Sequence, residues 1–357
     1  MTNKHKFPYV WTLADAKFAK DRGKVFSCFS CGGGSSMGYK LASYDVIGCN
    51  EIDKRMMYAY CQNLNPRLPY LEPIQTFKLR NDLPDELYQL DILDGSPPCS
   101  TFSIAGDRED AWGKLKHFRE GQAEQILDTL FFDFIDLAKR LQPKVVVAEN
   151  VKGLLMGDAL DYARKIHEGF DDAGYYCQHY LLNAAAMGVP QRRERVFFIC
   201  LRKDLATPFL EQVNLFETLP KFKLEFNETP IMYREIMDDD ASHPLPPSYR
   251  KCWDKREYGD SSLADIAKRY LGEDKYFNCS LQKSDKVLST IAAKQEATVA
   301  YHKPAFLSDR EVILGSTFPT DYNFCGQRPN YVCGMSVPPV MMANVATQIW
   351  EQWLSKL

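Results

Sequence analysis

Apolar runs rich in β-branched residues alternate with helix-periodic segments from residue 24 to 201, and this alternation leaves few folds open. Lys24 to Phe29 reads as a strand, the glycines at 32–34 as a tight loop, and Met37 to Ala42 as the start of a helix. Val46 to Glu51, Leu90 to Leu93, Val145 to Ala148 and Arg195 to Leu201 read as further strands. The run Val145-Val146-Val147 has the density of a strand buried on both faces. Between these lie Ile126, Leu127, Leu130, Phe131, Phe134, Leu137, Ala138 and Leu141, recurring at three and four, as do Leu160, Ala163, Ile166 and Phe170. That is the spacing of an amphipathic helix. Strands and helices in strict alternation predict an α/β fold: a doubly wound, mostly parallel sheet covered on both faces.

The rhythm fails after Arg202. Residues 202–303 carry the Pro-rich His243-Pro244-Leu245-Pro246-Pro247 and the mixed stretch Tyr249 to Arg256, with no repeat. A smaller, irregular domain is expected there. Residues 1–23 form a polar lead-in with a short helix expected over Ala14 to Lys20. The main domain then covers 24–201, and 304–357 returns to it through a helix over Val340 to Leu354. A chain of 357 residues suits one large domain with a smaller companion. Its eleven cysteines are an odd, scattered set, and no apolar leader opens the chain, which predicts a reduced, intracellular protein. No stretch approaches the apolar length that crosses a bilayer. The net charge of −3 does not announce a nucleic-acid binder, so any such surface would be a local basic patch.

The strand at Leu90 to Leu93 runs into Gly95-Ser96-Pro97-Pro98-Cys99-Ser100. Each proline fixes its own φ and biases its predecessor toward extended backbone, so Cys99 sits on a stiff loop at the carboxyl edge of the sheet. Enzymes of this architecture place their chemistry at that edge, although a single cysteine is more often a small buried apolar residue. Phe29-Ser30-Cys31-Gly32-Gly33-Gly34 lies between a strand and a helix, and Glu51 ends the next strand roughly 20 residues on, the layout of a nucleotide-type cofactor site. Cys28 and Cys31 lack the second pair or histidines that zinc needs, which leaves two packed thiols. Glu149-Asn150-Val151 follows the Val-rich strand and would by itself be a loop with an acid capping the helix near Asp158. In Gln191-Arg192-Arg193-Glu194-Arg195 the charges suit a solvated face. Yet Arg193 and Arg195 alternate as a strand requires, so both could point into a site.

Taken in order, the Gly-loop strand, Pro-Pro-Cys, Glu-Asn-Val, Gln-x-Arg-x-Arg, Leu307-Ser308-Asp309-Arg310-Glu311 with Phe318-Pro319, and Gly334-Met335-Ser336-Val337-Pro338-Pro339 form a specific series. The chain resembles a DNA (cytosine-5) methyltransferase across almost everything outside 202–303 and the lead-in. The resemblance implies the S-adenosylmethionine-dependent methyltransferase fold, with 202–303 as the target-recognition domain. It implies Cys99 as the nucleophile toward carbon 6 of a flipped-out cytosine, Glu149 on the ring N3 and amine, and Arg195 on O2 with Arg193 in support. S-adenosylmethionine would lie against Phe29, Ser30, Gly33 and Gly34, with Glu51 on the ribose, Ile52 beside the base, and Pro98, Met335 and Ser336 completing the pocket. No metal is implied. Ser100 to about Gln122 resembles a mobile catalytic loop, in which Arg108, Lys114 and Lys116 suit phosphates and Ser103 the phosphate beside the flipped base. Thr290, in Ser289-Thr290-Ile291, would touch the DNA backbone nearby.

The implied partner is double-stranded DNA and no membrane. The implied setting is a monomer in the cytoplasm of a prokaryotic or phage-infected cell, with any cognate restriction endonuclease acting separately. A tRNA cytosine-5 methyltransferase of the same fold, or a catalytically silent DNA-binding relative, are the alternatives. The sequence departs from the family pattern at Cys31 in place of glycine, Ser100 in place of glutamine and Met335 in place of asparagine. Gly-Asp-Ile is also absent, Pro73-Ile74 standing where the adenine-contacting acid would be.

Overall fold

The computed structural model describes residues 5–98, 115–116, 125–126, 129–157, 159–214, 217–272 and 279–357. The chain divides into two compact units. One comprises Lys17–Leu182, Glu194–Glu225 and Met342–Leu357, the other Met1–Ala16, Asn183–Arg193 and Phe226–Met341.

The first unit is built on a seven-stranded sheet. Its strands are β1 (Lys24–Cys28), β2 (Asp45–Glu51), β3 (Leu68–Leu71), β4 (Ile92–Gly95), β7 (Val145–Val151), β8 (Tyr175–Asn183) and β9 (Glu194–Arg202), in the order β3-β2-β1-β4-β7-β9-β8. The pairs β1–β2, β2–β3, β1–β4 and β4–β7 are parallel, and β7–β9 is antiparallel. The expected doubly wound, mostly parallel sheet is therefore the observed one. A short antiparallel pair, β5 (Leu115–Lys116) and β6 (Gln125–Ile126), stands apart from it.

The helices of this unit include α1 (Gly34–Leu41), α2 (Lys54–Leu64), α3 (Ile74–Phe77), α4 (Leu130–Leu141) and α5 (Ala159–Asp172). Val145 through Ala148 are fully buried. Phe26, Leu93, Val146 and Phe198 from the sheet pack with Phe134 and Leu137 of α4 and Ile166 and Phe170 of α5. Ile126, expected at the head of a helix, lies in β6, and α4 begins at Leu130.

Both edge strands escape a reading by apolar pattern. β3 is Leu-Pro-Tyr-Leu, and its proline is tolerated because an edge strand leaves one row of N–H groups unused. β8, Tyr-Tyr-Cys-Gln-His-Tyr-Leu-Leu-Asn, is only half-buried. The helix expected over Ala14 to Lys20 does not form. The Leu13 and Ala14 N–H groups donate to the Asp321 carboxylate (2.7 and 3.0 Å), and Thr12 and Asp15 bond each other, so the local donors are spent on side chains.

Two further strands of the first unit, β10 (Leu210–Asn214) and β11 (Glu217–Pro220), pair antiparallel. Next to them Phe222 packs on Trp353, ring centroids 4.3 Å apart, and Trp353 Nε1 donates to Lys221 O. The sheet unit thus keeps residues up to 225, beyond the loss of alternation at 202.

The second unit holds α6 (Pro247–Trp253), α7 (Leu263–Leu271), β12 (Ser280–Gln282), β13 (Thr298–Ala300), α8 (Asp309–Gly315) and α9 (Pro329–Met335). The last helix, α10, runs from Pro339 to Gln352. A small core of Trp253, Leu263, Ile266, Leu281, Val299 and Phe306 fills this unit around α6 and α7. The charged stretch Tyr249–Arg256 is folded onto that core. Arg256 lies 3.3 Å over the Trp253 ring and donates to Tyr301 O, while Arg250 pairs with Asp254 at 2.8 Å.

Candidate active site

The carboxyl ends of β4 and β7 bring the sequence motifs together. β4 ends at Gly95, where a Cβ would fall 2.5 Å from a Phe134 ring carbon, so a side chain is excluded there. The chain then leaves through Ser96-Pro97-Pro98. Asn150, buried on β7, donates from Nδ2 to Pro97 O (3.1 Å) and accepts the Val151 N–H at Oδ1 (2.8 Å). The rigid segment before Cys99 is therefore tied to the end of a central strand. Sequence reasoning gave Asn150 no role, although it sits inside the Glu-Asn-Val motif. Cys99, Ser103, Arg108 and Lys114 lie outside the described residues, and Lys116 is described as backbone of β5 alone.

Glu149 and Arg195 meet. In the β7–β9 ladder Arg195 pairs with Val151, so Glu149, two residues back, shares its face one step along the diagonal. Arg195 Nε lies 2.9 Å from Glu149 Oε1, both side chains are at least 85% buried, and Nη1 donates to Glu194 O. Burial lowers the Arg195 pKa, and the Glu149 charge opposes that shift.

Arg193 goes elsewhere. It precedes β9, is buried, and donates to Ile291 O (3.2 Å), Gly334 O (2.8 Å) and Ser336 O (3.1 Å). Its guanidinium joins two backbone segments of the second unit, one at Ile291 and one at Gly334–Ser336, whereas that of Arg195 joins a carboxylate. Gln191 does similar work, donating to Gly315 O and accepting the Ile291 N–H.

Asp94, beneath this edge on β4, was not singled out from sequence. It faces Ser27 in the parallel β1–β4 register and is almost fully buried. Its carboxylate accepts from Ser27 Oγ (2.6 Å) and Tyr39 OH (3.2 Å). Burial pushes its pKa up to about 7, with the Glu149 charge adding to the rise and the hydroxyl bonds opposing it.

At the end of β1 the backbone takes left-handed values at Phe29 (φ 52°), Cys31 (φ 47°) and Gly33 (φ 81°), the last being the N-cap of α1. For the two non-glycine residues this costs about 1–2 kcal/mol each, strain that collects at functional loops. The turn starts α1 at Gly34, inside the glycine run. Glu51 holds the turn: Oε2 accepts Cys31 N–H (2.7 Å), and Oε1 accepts Ile52 N–H (2.9 Å) and Asp53 N–H (2.8 Å). Burial raises the Glu51 pKa, and these N–H donors counter it. Ser30 Oγ is buried beside the Cys49 thiol. The Phe29 ring packs near Phe134, 6.4 Å between centroids. Cys28 is in the core, while Cys31 Sγ lies 3.9 Å from Met56 Sδ.

In the second unit Met335 ends α9 and is 42% exposed. Ser336 Oγ donates back to Val332 O. Thr290 is exposed, with its hydroxyl donating to Arg192 O (2.6 Å). Among the described residues no group of three or more His, Cys, Asp or Glu is arranged to hold a metal, and no helix is long and apolar enough to cross a membrane.

Comparisons with known proteins bear on the family and the fold. The family model for C-5 cytosine-specific DNA methylase matches residues 23–351. A type II methyltransferase of Fusobacterium nucleatum is 35% identical over 182 residues, 51% of this chain and 48% of that protein. One from Neisseria gonorrhoeae is 34% identical over 252 residues, 68% of this chain and 66% of that protein. The chain thus spans about half to two-thirds of the length of such relatives. Among solved structures, a proposed DNA modification methyltransferase encoded within an Escherichia coli prophage superposes with a TM-score of 0.63 at 20% identity, covering 92% of this chain and 99% of that one. An Entamoeba histolytica methyltransferase gives 0.58 at 13% identity, with 93% and 98% covered. At such identities the structural matches speak for the fold, and the sequence match for the family. The chain belongs to the C-5 cytosine-specific DNA methylase family.

Proposed function

We propose that this chain transfers a methyl group from S-adenosylmethionine to carbon 5 of a cytosine flipped out of double-stranded DNA, with Cys99 bonded to carbon 6 during the reaction. The observation that carries the proposal is the meeting of the Glu149–Arg195 pair with the Asn150-tethered Pro97 segment at one sheet edge. A thiol, a carboxyl group and a guanidinium then approach one ring from three strand ends.

Addition of the Cys99 thiolate to carbon 6 makes carbon 5 an enamine carbon, which is nucleophilic. Negative charge develops toward N3 and O2 as the sulfur adds. Glu149 shares a proton with N3 and accepts from the exocyclic amine, and Arg195 donates to O2, so both act where the charge grows. Once carbon 5 carries the methyl group, a base takes the carbon 5 proton through water, and the electrons left behind expel the Cys99 sulfur as thiolate. None of these groups reaches a stacked base, so the nucleotide is flipped at a cost of a few kcal/mol.

The residues at the end of β1 fit the donor. Glu51 uses three of the roughly four acceptor positions of its carboxylate on backbone N–H groups. The remaining one suits a ribose hydroxyl, and the buried Ser30 Oγ, beside the Cys49 thiol, offers a further polar contact in the same turn. When bound, S-adenosylmethionine supplies an electrophilic sulfonium methyl group. Phe29, Gly33, Gly34, Ile52, Pro98, Met335 and Ser336 are the further residues assigned to it. Residues 202–303 are assigned to target recognition, with Thr290 and the basic residues Arg108, Lys114 and Lys116 on phosphates.

Bisulfite sequencing of DNA from cells expressing the chain tests the activity and reads the target at once. Duplexes carrying 5-fluorocytosine at that target should trap a covalent adduct with the wild type and none with Cys99→Ser. A Cys99→Ser protein that still methylates would refute the covalent step, and unmodified DNA would refute the activity.

A further inference from the structure

β9 and β8 are neighbours at the edge of the sheet, and hydrogen bonds at both ends fix their register. Lys203 N–H donates to Gly174 O (2.9 Å), and Ala184 N–H donates to Arg193 O (3.0 Å). Stepping forward along one strand and back along the other from either contact arrives at the same pairing. Cys177 stands directly across from Cys200, and His179 across from Phe198. The His179 and Phe198 rings are indeed in contact, 5.8 Å between centroids. Hydrogen-bonded pairs recur at every second residue of an antiparallel ladder, which makes Cys177/Cys200 a non-hydrogen-bonded pair. There Cα atoms come within about 4.5 Å and side chains are closest. Disulfides bridge Cα separations of about 4.4–6.8 Å, so this pair is within reach of one.

The surroundings are those of an exchangeable thiol. Cys177 and His179 share one face of β8. His167 of α5 lies over that face, its Nε2 2.9 Å from His179 Nδ1. Cys177 is partly exposed and Cys200 buried, which orders them as entry and second thiol. Burial pushes the Cys177 thiol up, but hydrogen bonds from Cys200 and His167, with the His167 charge, outweigh it and leave the pKa below that of an ordinary cysteine. Cys200 is held protonated by burial and by its bond to Cys177. Among the described residues the other partly exposed thiols are placed differently: Cys31 and Cys61 lie against methionine sulfurs at 3.9 and 3.7 Å, and the Cys325 thiol donates to Asn323 O at 3.5 Å.

We infer that Cys177 and Cys200 form a thiol-exchange site at the sheet edge that takes a small disulfide such as oxidised glutathione. The Cys177 thiolate attacks one sulfur of the small disulfide, breaking its S–S bond and releasing one glutathione thiolate. Cys200, losing its proton, attacks Cys177 in the mixed disulfide and releases the second glutathione. Two electrons pass from the protein pair to the small disulfide, and the two thiol protons end on the two glutathione molecules. A Cys177–Cys200 disulfide remains, fastening β8 to β9.

The test uses the full chain, incubated with oxidised glutathione near neutral pH, quenched in acid, alkylated and mapped by peptide mass spectrometry. A Cys177–Cys200 linked peptide pair, two hydrogens lighter than the reduced pair, should form faster than adducts at Cys61 or Cys325. Cys200→Ser should instead accumulate a glutathione adduct on Cys177. A wild-type protein that keeps a stable Cys177 adduct without the link, or whose Cys177 reacts no faster than Cys61, overturns the inference. The wild-type measurement decides by itself if the variant does not fold.

Discussion

Replacing Asp94 by asparagine should remove a large part of the pH dependence of stability between pH 5 and 8. The folded carboxyl keeps its proton up to about pH 7, whereas an unfolded one loses it near the ordinary value of 3.8. Between those values the folded state binds more protons, so each rise in pH favours unfolding. The contribution is full below the unfolded value, is lost as pH climbs through the folded one, and is flat beyond it. At about 1.4 kcal/mol per unit, the window from pH 5 to 8 costs the wild type about 2–3 kcal/mol. Asparagine does not titrate, and the Ser27 and Tyr39 hydroxyls can rotate to donate to its oxygen or accept from its amide. Urea unfolding of both proteins at pH 5 and pH 8 measures the effect. The gap between them should move by about 2–3 kcal/mol in favour of the asparagine variant as pH rises. A gap that stays within about 0.5 kcal/mol refutes the account, because other titrating groups are common to both proteins and cancel.

Asn150→Ala should cost about 1–3 kcal/mol in urea unfolding, since it strands the Pro97 carbonyl and the Val151 N–H, and should slow trapping on 5-fluorocytosine DNA more than it weakens DNA binding. Glu311 is fully buried and accepts from Tyr233 OH, Lys303 Nζ and the Asp238 and Ser308 N–H groups, so Glu311→Ala should lose about 3–5 kcal/mol. A loss below 1 kcal/mol would show that Lys303 finds full compensation in Asp238. At Cys31, where φ is 47°, Gly should be more stable than Ala, by up to about 1 kcal/mol, reversing their order at an ordinary helical site. Thermal melts of Cys31→Gly and Cys31→Ala read the sign directly.

The fold was legible wherever burial is two-sided. Val145 to Ala148 and Val196 to Leu201 are fully buried, and a run of apolar residues is what such a strand requires. The edges were not legible for the same reason. β3 and β8 each lack a neighbour on one side, so Pro69 costs β3 little and β8 can alternate polar and apolar residues. The lead-in misled in another way. Ala14 to Lys20 has helix-favouring composition, but Asp321, more than three hundred positions away, takes the N–H groups of Leu13 and Ala14. Tertiary partners of that kind leave no local trace.

The site divides along similar lines. Motifs that must meet at strand ends were legible, because register turns spacing into proximity: Arg195 pairs with Val151, and Glu149 follows two residues back. For Arg193 the alternation does not by itself name the partner, since it lies just before β9, which begins at Glu194. Arg193 is spent on three carbonyls, one of them Gly334 O, whose own residue has no room for a Cβ: it would fall 2.5 Å from the Ala292 carbonyl carbon. That crowding gives the Gly-Met-Ser motif a structural requirement independent of any ligand, and it bears on Met335. Gly334 is fixed by backbone packing and Ser336 by its bond to Val332 O, whereas Met335 between them is 42% exposed and is the one position of the three that packing leaves open to change. A departure from the family pattern falls where the fold constrains the side chain least. Cys31 is the opposite case, a departure at a position whose left-handed backbone favours glycine, retained beside a Glu51 carboxylate that binds its N–H. Strain tolerated at one position and freedom used at the other are each set by the backbone around that residue, and neither is visible in composition or periodicity.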